Sequence, residues 1–383
     1  MLFFITFYSV YGLLHLYAFL KIKSAFSPGG KTVISIIVFM VIMLFSPSII
    51  HYLERAGLEL LARLMSYIGY IWMGVLLLFI AASLFIDIYR LLIYICGLIL
   101  RSDLSVIIPA AKTSLYLCVI FALTVSIYGF FEARNIRTEH IRIKTPKVPV
   151  EIGTITIVQI SDVHLGLINR KEKLGSIIKK IKDAGPDMLV STGDLVDGQI
   201  NRLEGLAEML QAIKPEYGKY AVTGNHEFYA GINQALDFTR KAGFTVLRGE
   251  TDIAGGIINV AGVDDRTGRQ FGLFKGATEN KLLPALDSKK FTLLLKHRPR
   301  IEKDAPGLFD LQLSGHTHKG QFFPFSLITK LYYSIDSGFL SLSKGSNLYI
   351  SRGTGTWGPP IRFLSPPEVT VIKLIHEDRV RGF

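Results

Sequence analysis

The chain has 383 residues, with 43 Lys and Arg against 31 Asp and Glu, a net charge of +12 and 49% hydrophobic residues. That length allows two or three domains, and two cysteines, both in apolar stretches, exclude a disulfide framework and a thiolate metal site. The positive balance brings no run of interleaved arginines and aromatics, so nucleic acid is not an expected partner.

Hydrophobicity is concentrated in residues 1–131, which hold only eight Lys/Arg and four Asp/Glu; the remainder has the composition of a water-soluble protein. The expected organisation is an all-α transmembrane domain of about four helices over 1–131, a basic linker over 132–150 and an α/β domain over 151–383. Residues 2–20 are apolar and uncharged, and are followed by Lys21 and Lys23. A basic leading region and a small-residue cleavage site are both missing, which argues for a retained transmembrane helix rather than a signal peptide. Residues 32–50 and 107–131 each come close to the roughly 20 residues needed to cross the hydrocarbon core.

Residues 66–100 are too long for one upright span, reaching roughly 50 Å against a core of about 30 Å. Asp87 and Arg90, three residues apart, interrupt this stretch and can pair on one helix face. Residues 67–86 are therefore expected to span, and 88–100 to continue as a projecting or interfacial helix. Leu53, Leu60, Leu61 and Leu64 have the spacing of a short surface helix. Lys21, Lys23 and Lys31 occupy the first connection, and the N-terminus has no basic side chain. The positive-inside rule then puts the N-terminus outside, and four spans return the globular domain to the extracytoplasmic side. The opposing signal is the cluster Arg134, Arg137, Arg142, Lys144 and Lys147 after the last span, which suits either anionic headgroups or a solvated linker.

Beyond the connector, strand-like and helix-like segments alternate. The apolar runs 155–160, 188–190 and 220–222 are each followed by a polar loop and then a helical pattern, over 170–182, 202–213 and 233–242. Three such units in succession indicate α/β layering around a mostly parallel sheet. Short apolar runs at 257–263, 291–295, 311–313, 348–350 and 369–374, with few helices between them, suit a second sheet packed on the first.

The chemistry sits at the ends of these runs. Five of nine histidines fall in polar motifs there: Asp162-Val163-His164, Gly193-Asp194, Gly224-Asn225-His226-Glu227, Lys296-His297-Arg298 and Gly315-His316-Thr317-His318. A strand end projects its next residues into a loop, where several strands can converge on one site. Asp, Asn and His supply only oxygen and nitrogen donors, a set that suits Mn, Fe or Zn. Residues two apart share a face, so Asp162 and His164, or His316 and His318, can address one cation together. Asp194 has two carboxylate oxygens and could bridge two ions. His226, next to Asn225, is better placed as a proton donor. Two cations a few ångströms apart would bind a phosphoryl group, activate water and clamp an in-line displacement, so the expected reaction is hydrolysis at phosphorus.

These motifs in this order resemble the calcineurin-like metallophosphoesterase superfamily. The tail from Tyr349 through Arg352, Pro360-Ile361-Arg362-Phe363 and Pro366-Pro367-Glu368 is similar to its bacterial membrane-attached branch. The resemblance spans roughly residues 155–375 and implies a two-sheet β-sandwich flanked by helices in a bacterial plasma membrane protein. It also implies that Asp162, His164 and His318 hold one metal and Asn225, His297 and His316 the other. Asp194 then bridges, and His226 is the acid that protonates the leaving oxygen. Lys319 departs from the glycine of many relatives and places a cation beside the site. Arg352 and Arg362 are candidate substrate-binding residues because a planar guanidinium matches phosphate oxygens. Asp197 and Asp265 read as turn or supporting groups, Arg298 as a residue that orients substrate or steadies its motif. His15, His51, His140 and His376 receive no role. The expected activity is that of a membrane-bound phosphohydrolase cleaving a phosphoester or pyrophosphate bond of a lipid-linked substrate. Its alternatives are a broad phosphodiesterase or phosphatase on soluble substrates, with the helices as anchor or sensor, and a non-catalytic scaffold. No oligomeric state is implied.

Overall fold

The computed structural model describes residues 2–198, 203 and 205–377. It divides into two compact units, residues 1–131 with Gly358–Ile361, and Glu132–Trp357 with Arg362–Phe383.

The first unit is helical: α1 (Leu2–Phe26), α2 (Gly30–Leu44), α3 (Ser46–Arg55), α4 (Glu59–Leu100) and α5 (Ala111–Glu132). Three segments, Phe4–Phe26, Glu59–Leu100 and Ser105–Glu132, are long and apolar enough to cross a membrane, and a fourth is counted if α2 and α3 form one span bent by 54°. The expected span at 32–50 is therefore broken. Pro47 sits in the first turn of α3, where a missing N–H costs nothing, so it marks a helix start and not a mid-span position. The stretch 66–100 lies within a single helix: α4 runs unbroken for 42 residues, about 63 Å. Asp87 does not interrupt it because its carboxylate is met by Lys21 Nζ at 2.5 Å and Tyr17 Oη at 2.6 Å from α1, with Arg90 further off at 3.8 Å. Leu53 belongs to α3 and Leu60, Leu61 and Leu64 to the start of α4, so they do not share a separate surface helix.

Among the described residues the second unit holds twelve strands: β1 (Arg137–Thr145), β2 (Thr154–Ile160), β3 (Met188–Ser191), β4 (Lys219–Ala221), β5 (Thr245–Val246), β6 (Glu250–Ala254), β7 (Ile258–Gly262), β8 (Phe291–Leu295), β9 (Leu311–Ser314), β10 (Gly338–Ser341), β11 (Asn347–Ile350) and β12 (Glu368–His376). They form two six-stranded sheets, ordered β1-β12-β2-β3-β4-β5 and β10-β11-β9-β8-β7-β6. Within the sheets β2, β3, β4 and β5 are parallel, as are β7, β8, β9 and β11. Strands buried on both faces read as continuous apolar runs, and β2 shows why. Ile155 and Ile157 enter the core between the sheets with Met188, Val260, Leu293 and Leu313, while Val158 and Ile160 face the helices on the other side.

Those helices are α6 (Lys171–Ala184), α7 (Leu206–Gln211), α8 (Asn225–Ala230) and α9 (Ile232–Lys241); α10 (Thr267–Gln270), α11 (Glu279–Leu282) and α12 (Phe325–Tyr332) follow between later strands. In α6, Leu174, Ile177, Ile178 and Ile181 make the buried stripe, and Gly185 at φ 57° ends the helix. The expected start of the next helix at Arg202 lies outside the described residues. Residues 137–145, expected as part of a basic linker, instead form β1, paired in parallel over nine residues with β12. In this edge strand charged and half-buried apolar residues alternate, with Arg142 and Lys144 each following a half-buried isoleucine, Ile141 and Ile143, which is how exposed edges are kept soluble. The cluster around it is largely paired within the protein: Arg137 with Glu132, Lys144 with Glu377 and Lys147 with Asp310, at 2.6–2.8 Å.

Candidate dinuclear metal centre

Parallel strands deliver their C-terminal ends to one rim. Asp162 and His164 follow β2, Asp194 follows β3, Asn225 follows β4, His297 follows β8, and His316 and His318 follow β9. The chain turns sharply at nearly every one of these positions. Asp162, His164, Asp194, His316 and His318 have φ of 51°, 50°, 51°, 71° and 48°, in the left-handed region that costs a non-glycine residue roughly 1–3 kcal/mol. Five such residues on one rim are a concentration of strain that the surrounding sandwich holds in place. Two glycines allow the loops to close. A Cβ on Gly224 would collide with Asp194 Oδ1, and one on Gly315 with Asp162 Oδ2 and Ser161 Oγ.

The side chains converge. His164 Nε2 lies 3.1 Å from His318 Nε2, and His318 Nε2 lies 3.5 Å from Asp162 Oδ1. On the other side, His297 Nε2 is 3.0 Å from His316 Nδ1, 3.2 Å from Asp194 Oδ2 and 3.3 Å from Asn225 Oδ1. Asp194 also faces His164 Nε2 at 3.8 Å. Atoms of Asp162, His164 and His318 lie within 4.8 Å of one another, as do those of Asp194, His297 and His316, and of His164, Asp194 and His226. Asp194 thus belongs to two of these groups.

The chemistry of the set fits two divalent cations. Burial and the neighbouring Asp194 raise the Asp162 carboxyl above its ordinary value. Burial acts on Asp194 in the same direction, but His297 and His226 outweigh it and keep that carboxyl well below the usual range. Burial opposes a charged His297, yet Asp194 and Asp162 push its pKa up to about 10. His316 and His318 go the other way: burial, with His297 and Arg298 beside one and Arg362 beside the other, holds both well below the usual imidazole value, so they offer lone pairs to a cation. His297 Nδ1 donates to Thr192 O at 2.8 Å, which leaves Nε2 as the inward lone pair.

His226 is built differently. Its Nδ1 is 3.0 Å from Asp197 Oδ1, and its ring stands edge-on to His164 at 4.5 Å. A carboxylate on Nδ1 fixes the ring and leaves Nε2 as the atom that carries a mobile proton. Burial disfavours the imidazolium, but Asp194, Asp197 and Glu227 raise its pKa to about 9. Tyr229 and the half-exposed Trp357 flank this histidine at 5.4 and 5.9 Å between ring centres.

Both arginines expected as candidates for substrate are engaged by the protein itself. Arg362 is fully buried and its guanidinium is consumed by the protein: it donates to Gly355 O, to His318 O at 3.0 Å and to Arg352 O at 2.8 Å, and lies 2.9 Å from His318 Nδ1. Arg352 is held by Glu139, by Glu368 at 2.7 Å and by Pro366 O. Arg362 braces the loop behind His318 with Nε, Nη1 and Nη2 all engaged, and Arg352 is committed through Nε and Nη2. Lys319 sits at φ 50° beside His318, with its backbone N–H donated to Thr317 Oγ1 at 3.2 Å. Arg298 is drawn into the centre, with Nε on Asp265 at 2.9 Å and Nη1 2.8 Å from His316 Nε2.

One functional residue had no expected role. Glu227 accepts N–H bonds from Gly224 at 2.6 Å, Leu195 at 2.8 Å and Asp194 at 3.0 Å, and so ties the β3 loop to the β4 loop. The signal was present, because an acidic residue at the third position of a helix commonly reaches back to its own start.

Residues 155–320 match the family described as calcineurin-like phosphoesterase. An uncharacterized metallophosphoesterase of Aquifex aeolicus is 43% identical over 255 residues, covering 66% of this chain and 97% of that protein. A Danio rerio transmembrane protein with metallophosphoesterase domain is 31% identical over 271 residues, covering 67% of this chain and 62% of that one. Among solved structures, a dimetal phosphatase from Danio rerio aligns with 58% of this chain and 93% of its own, at a TM-score of 0.38 and 14% identity.

Proposed function

The chain belongs to the calcineurin-like phosphoesterase family, and on that footing we propose that it is a membrane-bound phosphohydrolase acting on a lipid-linked phosphoester or pyrophosphate. It is a metal-dependent phosphoric ester hydrolase that uses two divalent metal ions. In our reading Asp162, His164 and His318 hold one cation, Asn225, His297 and His316 hold the other, and Asp194 bridges them. The observation that carries this is that Asp194 groups with His297 and His316 on one side and with His164, itself grouped with Asp162 and His318, on the other. When bound, the pair of cations neutralises charge on the phosphoryl group and activates water. The protein's own residues do the rest. Asp197 orients His226, whose Nε2 proton passes to the departing oxygen, and Lys319 offers an ammonium beside the site to an anionic substrate. Mn, Fe and Zn all suit this donor set.

The lipid claim draws its support from the apolar helices, which exceed what a simple anchor requires. In detergent with added manganese, a lipid diphosphate is expected to be hydrolysed with higher kcat/KM than a water-soluble nucleotide diester. A clear preference for the soluble compound sinks the lipid claim and favours the broader phosphodiesterase.

The side of the bilayer follows from the parity of crossings. Four crossings, with α2 and α3 counted as one bent span, keep the catalytic unit extracytoplasmic when Lys21, Lys23 and Lys31 stay inside. We adopt that arrangement; a reporter fused after residue 377 that is active only in the cytoplasm should stay silent, and its activity would reverse the assignment.

A further inference from the structure

Directly after the Gly-His-Thr-His turn the chain forms α12, and no residue of this helix is buried. Its outer side is apolar. Leu327, Ile328, Leu331 and Tyr332 are 55%, 51%, 84% and 81% exposed, with Phe323 extending the patch ahead of the helix. Leu327, Ile328 and Leu331 recur at helical spacing, so they form one continuous face and not scattered single residues. Contiguous apolar surface of this kind marks a protein or membrane contact.

The charge around the patch separates those two partners. From His316 to Ile335 the charged side chains are Lys319 and Lys330, and no acidic residue occurs. An apolar face with a purely cationic flank complements anionic headgroups. Tyr332 supplies an exposed aromatic ring of the kind that settles at headgroup level. The same chain carries three segments long and apolar enough to cross a bilayer, so this partner is always at hand.

The helix is also firmly joined to the metal centre. Gly320, at φ 70°, lies so close to the Ser326 backbone that a Cβ there has no room. The Phe322 and Phe325 rings pack edge to face at 5.1 Å, and Tyr333 meets His316 at 6.0 Å. Whatever seats α12 therefore positions the turn that bears His316 and His318.

We propose that α12 lies in the membrane interface, with Leu327, Ile328 and Leu331 among the acyl chains and Tyr332, Lys319 and Lys330 at the headgroups. This seats the mouth of the metal centre at the bilayer surface. The inference rests on membrane attachment and not on the identity of the substrate.

The test uses the full-length chain in phosphatidylcholine–phosphatidylglycerol vesicles, with Cys96→Ser and Cys118→Ala as background. An environment-sensitive fluorophore is placed at Leu331→Cys, and separately at Ile328→Cys and at Lys179→Cys on exposed α6 surface. Spin-labelled lipids are expected to quench the two α12 positions several-fold more than the α6 position, with blue-shifted emission. Equal quenching at all three overturns the proposal. A blue shift without lipid quenching also overturns it, because the face is then covered by protein. Failure of the lipid substrate in the hydrolysis comparison leaves this readout unchanged, so the two claims fall separately.

Discussion

Replacing Asp194 with alanine is expected to lower kcat/KM on the order of 10³-fold or more. Loss of one transition-state donor typically costs ~10²–10³ in rate, and Asp194 does more than one such task. Its Oδ2 faces both His297 at 3.2 Å and His164 at 3.8 Å, and its Oδ1 accepts the His226 N–H at 2.8 Å. Truncation removes the only carboxylate common to two ligand groups among the described residues, and it leaves His297 and His226 without their principal counter-charge. The protein should still fold, because the loop remains tied through the backbone bonds that Glu227 accepts. Circular dichroism and a thermal melt beside the kinetic assay separate lost chemistry from lost structure. A variant that is folded and retains a tenth of wild-type activity would remove Asp194 from its bridging role.

Replacing His226 with glutamine is expected to cost about 10²–10⁴-fold in kcat, the range for a positioned general acid, or roughly 3–5 kcal/mol of barrier. The signature that separates this role from metal ligation is its dependence on the leaving group. Hydrolysis of an alkyl ester, whose alkoxide needs a proton, should fall by the full amount. An activated nitrophenyl ester should fall far less, because its phenolate departs unaided. Metal content should stay at the wild-type value. The geometry makes this a real choice, since His226 also stands within ligand reach of His164 and Asp194. Equal losses for both esters, together with loss of one cation, would make His226 a ligand instead.

Much of this centre was legible in the sequence for a plain physical reason. Ile155–Ile160, Leu293 and Leu313 lie in strands covered on both faces, so their runs are continuous and their ends are easy to find. The polar residues immediately after them then fall on one rim, because the strands are parallel. What stayed hidden depends on tertiary contact. β1 carries alternating charges that resemble a solvated linker, and only pairing with β12 makes it a strand. Asp87 looked like a break in an apolar helix because its partners, Lys21 and Tyr17, come from a different helix some 70 residues earlier. Arg352 and Arg362 suggested phosphate binding by residue type, whereas their carbonyl partners in loops and their carboxylate partners in β1 and β12 are connected by no spacing rule. The left-handed backbone at Asp162, His164, Asp194, His316 and His318 is equally invisible, since nothing in those residue types requires it.

The central claim is that seven side chains from five strand ends hold two cations through a shared Asp194. The most direct measurement is the metal content of the purified full-length chain, determined by mass spectrometry after dialysis with manganese, iron or zinc in turn. Two ions per chain are expected in the wild type with at least one of these metals, and fewer than two in Asp194→Ala. A single ion in the wild type, or two ions retained without Asp194, would contradict it.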